Sequence, residues 1–315
     1  MSEDQQLLCK YEEDLRKMVS ETKELTKFGQ VADYIPALAE ADPDDVAVAI
    51  YDGRNTCFSE GNDEQLFTLQ SISKVLTLAL ALIDHGEETV FAKVGMEPTG
   101  DPFNSISKLE TQVPSKPLNP MINAGALAVT ALIKGGSVDE KLTRILEFVR
   151  LLSGNSALTY NDKVARSEWE SADLNRSLAY FLRQHGIIEG DVEKLLELYT
   201  KQCAIEVTCR DLAKIGYSLA YDGIHPDTKE PIMERDIARL VKTFMVTCGM
   251  YNASGEFAIR VGIPAKSGVS GGIIGAVPYR LGIGIYSPSL DDKGNSLVGM
   301  KLLEKLSKKY QLSIF

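Results

Sequence analysis

A chain of 315 residues, 44% hydrophobic and 25% charged, has the composition of a folded globular protein and the length for one large domain or two modest ones, which excludes a disordered or fibrous class. A formal net charge of −10 argues against a nucleic-acid footprint or an anionic membrane surface. No stretch approaches a membrane span, and the charged N-terminal segment 1–27 lacks the apolar centre of a secretory signal, so a cytoplasmic location is expected.

Leu7, Tyr11, Leu15, Met18 and Val19 recur at helical spacing and predict a first helix over residues 3–27. Residues 46–51 read as a strand, 52–55 as a turn and 56–59 as a returning strand, which together signal a hairpin. From Ser71 a run containing Val75, Leu76, Leu78, Leu80 and Leu82 is apolar enough to be a buried helix, with His85-Gly86 as its expected stop. Further helices are predicted over 122–134, 138–152, 173–185, 192–202, 208–221 and 232–248, the fifth opened by a capping box of Thr208 and Asp211. Beyond Gly262 the periodicity changes, and 262–266, 273–277 and 281–286 read as strands before a last helix over 297–306. The predicted fold class is α/β (α+β): an antiparallel five-stranded sheet flanked by helices and interrupted by a large all-helical insertion. Residues 1–70 with 251–315 would form the sheet domain and 71–250 the helical one, with a site at their junction.

Chemistry is constrained by what is scarce. His85 and His185 precede glycines at helix ends and His225 precedes Pro226, so cap and turn roles account for all three. A serine-histidine-aspartate triad or a histidine-rich metal site is not indicated, and with no Gly-rich phosphate loop or dinucleotide fingerprint no cofactor is implied. Cys9, Cys57, Cys203, Cys209 and Cys248 include no C-x-x-C pair and are expected to be free thiols in a reducing compartment.

The pattern S-x-x-K occurs at Ser20, Ser71 and Ser105. Residues three apart on a helix share a face, so Lys74 can lie beside Ser71, and the partial positive charge of a helix N-terminus disfavours a charged lysine there. That is the geometry of a serine-lysine dyad. Ser20 is expected to face solvent, and Ser105, between Pro102 and Pro114, reads as loop. Only Ser71 leads an apolar helix. A second candidate is Lys266-Ser267-Gly268, the one K-[ST]-G in the chain, at the end of the first late strand.

An S-x-x-K at a helix start followed some two hundred residues later by K-[ST]-G on a strand resembles the serine β-lactamase and penicillin-binding fold. Longer strings narrow this: Val31 to Pro36, Gln70 to Lys74, Asn119 to Ala126, Ser167-Glu168, Asp173-Leu174-Asn175, Tyr199 ahead of Cys203, Cys248 to Tyr251, and Pro264 to Val269. From about Gly29 to the C-terminus the chain resembles the serine-dependent glutaminases of that fold. The resemblance implies hydrolysis of L-glutamine to glutamate and ammonia through a glutamyl-serine intermediate by a homo-oligomer. It casts Ser71 as nucleophile, Lys74 as base and Tyr251 as proton relay, with the backbone N–H groups of Ser71 and Val269 as oxyanion hole. Glu168 would pair with the substrate ammonium, and Tyr34, Asn123, Asn175 and Tyr199 would hold its polar groups. Asn252 departs from the aspartate usual in the family, in a position without an assigned role. A β-lactam- or peptidoglycan-directed hydrolase of the same fold, and a non-catalytic glutamine binder, are the competing readings.

Overall fold

The computed structural model of the chain describes residues 12–54, 56–106, 109–110 and 115–315. Five strands form one antiparallel sheet, in the order β2(Thr56–Gly61), β1(Ala47–Tyr51), β7(Leu281–Tyr286), β6(Gly272–Val277), β5(Ala265–Ser267). The early hairpin and late meander therefore meet through β1 and β7, where Ile50 pairs with Ile283.

Period-two patterning sets what covers each face. Val48, Ile50, Ile283 and Ile285 point to one side and pack on Leu15 and Met18 of α1(Glu12–Lys23) and on Val298, Leu302 and Leu306 of α11(Leu297–Tyr310). The other side of β7 presents Gly282 and Gly284. A Cβ at Gly282 would lie 1.9 Å from the Ala213 carbonyl oxygen, so the bare backbone lets α8(Cys209–Ala220) rest directly on the sheet. The capping box predicted at Thr208 and Asp211 opens that helix.

The helical part comprises α2(Ser73–Lys93), α3(Asn123–Leu132), α4(Val138–Ser153), α5(Asp162–Glu170), α6(Asp173–Gln184), α7(Val192–Cys203) and α9(Arg235–Cys248), with α10(Ser254–Arg260) leading back to the sheet. Every residue from Ser73 to Leu82 is buried, so α2 is the central post of this part.

Several boundaries differ from expectation. The second helix does not stop at His85-Gly86: Gly86 breaks it at φ 74°, ψ 171°, a conformation reserved for glycine, and helix resumes to Lys93 because Val90 and Val94 find full burial. His85 donates instead through its ring to the Leu132 carbonyl. The first helix ends at Lys23 in a tighter 3-10 turn, Glu24–Phe28, and its expected residues 3–11 lie outside the described ones. The strand expected over 262–266 forms at Ala265–Ser267, since Gly262 turns at φ 66° and Pro264 has no N–H for a ladder. Helices α5 and α10, and the paired dipeptides β3(Phe67–Thr68) and β4(Glu206–Val207), were not expected. Among the described residues no helix is long and apolar enough to cross a membrane.

Candidate active site

Ser71 sits in a single 3-10 turn, Gln70–Ile72, between β3 and α2. That turn is anchored from both sides: the Leu69 N–H donates to the Ile205 carbonyl at 2.8 Å, and the Ser270 hydroxyl donates to the Thr68 carbonyl at 2.7 Å. Gly268 packs so closely that a Cβ would stand 2.6 Å from the Leu69 oxygen. Gln70 is forced to φ 47°, a left-handed conformation that costs a non-glycine residue roughly 1 kcal/mol or more. The serine is thus held by strained, over-determined backbone. The first N–H groups of such a turn lack intrahelical acceptors, and Ser71 is among them.

Lys74 follows one turn later and is 1% exposed. Its Nζ donates to Asn123 Oδ1 at 2.6 Å and to the Met121 carbonyl at 3.3 Å, with the Phe103 ring centroid 5.8 Å away. No hydrogen bond joins it to Ser71 in this structure. Loss of hydration pulls the ammonium pKa down to about 8, opposed by the charges of Cys203 and Glu168. A neutral amine has two N–H groups, matching the two acceptors, and keeps a lone pair.

The string Asn119 to Ala126 builds the wall behind Lys74. Asn119 Oδ1 accepts from the N–H groups of Met121 and Ile122, folding the segment into a side-chain-closed turn. Gly125 lets α3 cross it, as a Cβ there would fall 1.9 Å from the Asn119 carbonyl oxygen. Asn123, first in α3, then accepts from Lys74 and donates through Nδ2 to Asn175 Oδ1 of α6 at 2.9 Å.

Glu168 comes from α5, which the Ser167 hydroxyl ties to the Tyr34 loop by accepting from the Ala37 N–H. The residue is only 7% exposed, and its Oε2 lacks any hydrogen-bond partner. Burial raises its pKa to about 8, against hydrogen bonding from Gln70, the charge of Lys74 and hydrogen bonding from Cys203. Tyr199 and Cys203, one turn apart on α7, flank the carboxyl, and both are pushed upward by burial and by its charge. Tyr34 is 53% exposed as a residue, while burial and the charges of Tyr251 and Glu168 raise its phenol well above the ordinary value.

Tyr251 stands opposite, at φ 52°, in the 3-10 turn that ends α9. Burial raises its phenol while the adjacent Ser71 hydroxyl lowers it; that contact falls short of a full hydrogen bond, leaving the phenol oxygen without a partner. Lys266 Nζ lies 4.3 Å from the Tyr251 ring centroid and donates to the Ser267 carbonyl. Burial and the Lys74 charge hold the Lys266 ammonium well below the usual range. Phe103 covers the outer side of Tyr251 at a centroid separation of 4.7 Å. Val269, in the turn after β5, packs in the same cluster.

The structure therefore gathers Tyr34, Ser71, Lys74, Asn123, Glu168, Asn175, Tyr199, Tyr251 and Val269 about one site. Ser20 is exposed on α1 and Ser105 lies in a loop outside it, as expected. Phe103 and the Gln70 side chain were not anticipated as neighbours: the first belongs to an irregular loop with no periodic signal, and only adjacency to Ser71 marks the second. The 280 Å³ groove beside Arg260 and Lys301 contains none of these groups. Among the described residues no cluster of His, Cys, Asp and Glu is arranged to hold a metal ion.

The family model described as Glutaminase matches residues 29–315. A glutaminase of Geobacillus thermodenitrificans is 64% identical over 96% of this chain and 98% of its own, and glutaminase 2 of Bacillus subtilis is 59% identical over 98% of this chain and all of its own. A solved structure of a Bacillus subtilis glutaminase in covalent complex with 5-oxo-L-norleucine has 41% identity and a TM-score of 0.88, covering 96% of this chain and 99% of that one. These matches define an amidohydrolase. The chain belongs to the glutaminase family.

Proposed function

We propose that the protein hydrolyses L-glutamine to L-glutamate and ammonia through a glutamyl-serine intermediate. The buried Lys74 amine, with both possible donors of its neutral form already engaged, carries this reading. In the neutral state its lone pair takes the Ser71 proton as the hydroxyl oxygen attacks the side-chain amide carbon. Negative charge develops on the amide oxygen, which the backbone N–H groups of Ser71 and Val269 receive. Tyr251 passes a proton to the departing ammonia, and water then releases glutamate by the reverse sequence.

Glu168 Oε2 takes the substrate ammonium, with Tyr34, Asn123, Asn175 and Tyr199 around the α-groups. No arginine fork is present in this set, so neutral hydrogen bonds hold the α-carboxylate. The relative's covalent complex with 5-oxo-L-norleucine, formed as 6-diazo-5-oxo-L-norleucine loses dinitrogen from the carbon beside its ketone, supports a covalent route on a glutamine-like skeleton. We further read the protein as a cytoplasmic homo-oligomer. The free thiols Cys203, Cys209 and Cys248 fit a reducing compartment, and the half-exposed Trp169, Leu174 and Tyr180 on α5 and α6 offer apolar surface to a second copy. Residues 1–70 with 251–315 are read as the sheet domain and 71–250 as the helical one.

Release of ammonia from glutamine and asparagine under steady-state conditions tests the assignment. With its α-groups anchored, asparagine is one methylene short, leaving its amide about 1 Å or more from the attack position, which can cost on the order of a hundredfold. Glutamine should exceed asparagine in kcat/KM by at least about that factor. Equal values, or no ammonia from either, would refute the reading.

A further inference from the structure

The ring of Tyr251 packs on Phe103, but its phenol oxygen is buried without a hydrogen-bond partner, so no polar contact at the far end of the side chain holds that oxygen in place. Its placement comes from the backbone, and that backbone is strained. Tyr251 has φ 52°, a left-handed conformation that a bulky residue keeps only where its surroundings over-determine it. One buried side chain brackets the strained residue. The Ser254 hydroxyl accepts from the Met250 N–H at 3.0 Å and donates to the Tyr251 carbonyl at 2.7 Å, so a single oxygen ties the chain on both sides of the Tyr251 Cα. Ser254 opens α10, yet both of these bonds run backward to the preceding turn rather than forward into that helix. The same stretch is held from the sheet side. The Ser267 N–H of β5 donates to the Gly249 carbonyl at 3.1 Å, and a Cβ at Gly249 would fall 1.8 Å from the Ala265 carbonyl oxygen. The Met250 carbonyl accepts from the Ala253 N–H at 3.0 Å and, at 3.4 Å, from Asn295 Nδ2.

We propose that Ser254 is a positioning residue for Tyr251: its hydroxyl locks the left-handed turn that aims the phenol at the reacting atoms and leaves the phenol oxygen free of any other partner. The inference rests on Tyr251 as the proton relay. A group that must take up and release a proton in the reaction is best left ungripped in the free enzyme, and its direction is then set by the residue that fixes its main chain. A serine hydroxyl suits the task because it donates and accepts through one atom, which closing the bracket across residue 251 requires. Without that hydroxyl the Met250 N–H loses its partner, and one of the restraints on the strained φ is released. The phenol oxygen lies at the far end of the side chain, where a small backbone rotation is magnified; a misplacement on the order of 1 Å can cost about a hundredfold in rate.

The test compares wild type, Ser254→Ala, Ser254→Cys, Tyr251→Phe and the Ser254→Ala/Tyr251→Phe double variant, by ammonia release from glutamine under steady-state conditions. Thermal melts establish which variants are folded at the assay temperature. Ser254→Ala should lower kcat at least about tenfold with KM within about twofold of wild type, since the groups assigned to the substrate α-amino and α-carboxylate lie on other elements. Ser254→Cys, whose thiol is a weaker donor and acceptor, should lose at least about threefold in kcat with the same KM, and it replaces the alanine variant throughout if that one does not fold. In the Tyr251→Phe background the Ser254 substitution should change kcat by less than about twofold, because the phenol it places is gone. A folded Ser254→Ala enzyme with wild-type kcat, a loss expressed in KM alone, or a full loss repeated in the Tyr251→Phe background would overturn the proposal. If Tyr251→Phe itself kept wild-type kcat, the proton relay assigned to Tyr251 would be wrong; if it lost kcat while both Ser254 variants matched wild type, only the role of Ser254 would fail.

Discussion

Two acid–base groups share the floor of the site with their affinities for protons drawn together: burial takes Lys74 down to about 8 and Glu168 up to about 8. On the proposed mechanism the productive form needs Lys74 neutral, to accept a proton, and Glu168 ionised, to hold an ammonium. Lowering the pH protonates both. The expected consequence is that kcat/KM rises with pH through about 8, with a limb steeper than one proton where the two titrations overlap. Arginine stays charged throughout, so Lys74→Arg should be inactive across that range. A pH profile of wild type and variant checks both statements, and a flat profile or an active arginine enzyme would mean that another group takes the proton. Ser71→Ala should lose at least about a thousandfold in kcat/KM, whereas Ser105→Ala should stay within about twofold. Parallel ammonia assays would separate the two copies of Ser-Ile-Ser-Lys.

At the scale of elements, the site depends on close crossings more than on side-chain volume. Gly125 allows α3 to pass over the Asn119 turn, and a methyl group there meets backbone oxygen at 1.9 Å, which nothing flexible can relieve. Gly125→Ala should destabilise by on the order of 2 kcal/mol or more and displace Asn123 from Lys74, lowering both Tm and kcat. An alanine variant with unchanged Tm would show that the crossing is not tight in solution.

Long apolar elements were legible beforehand: α4, α7 and α9 carry one buried stripe each, α2 and α8 are buried almost all round, and the Gly-Ile alternation of β7 declares which face meets which layer. What escaped had no period to read. The dipeptides β3 and β4 exist only because residues 205–207 come back beside 67–69, a tertiary contact. Continuation of α2 past Gly86 depends on burial of Val90 by distant parts of the chain. The nine candidate site residues were proposed for a different reason, the ordered strings of the glutaminase resemblance; spacing alone marked Ser71, Lys74 and the Lys266 motif, and gave no signal for Phe103 beside Tyr251.

For the whole molecule, the site is a place where stability is surrendered. Glu168 has its folded-state pKa raised from 4.5 to about 8, so its contribution is fully present below about 4.5 and is lost as pH rises toward about 8. Lys74 is displaced in the opposite direction, so its contribution is present above 10.5 and is lost as pH falls toward about 8. Both penalties therefore fall near neutrality. Replacing Glu168 by the neutral isostere glutamine removes the first one. Without substrate, Glu168→Gln should melt roughly 2 °C or more above wild type at pH 8 and differ little at pH 5. Scanning calorimetry at the two pH values checks this, and a lower Tm at pH 8 would mean that the ionised carboxylate is well compensated in the free enzyme.

The chemistry proposed for this fold passes through a covalent bond to Ser71. Treating the protein with 6-diazo-5-oxo-L-norleucine, then mapping peptides by mass spectrometry, tests it directly. One 5-oxo-L-norleucine adduct per chain is expected, on the peptide containing Ser71, absent from Ser71→Ala and suppressed by excess L-glutamate. An adduct on Ser105, Cys203 or any other residue, or an unmodified chain under conditions where glutamine is hydrolysed, would contradict it.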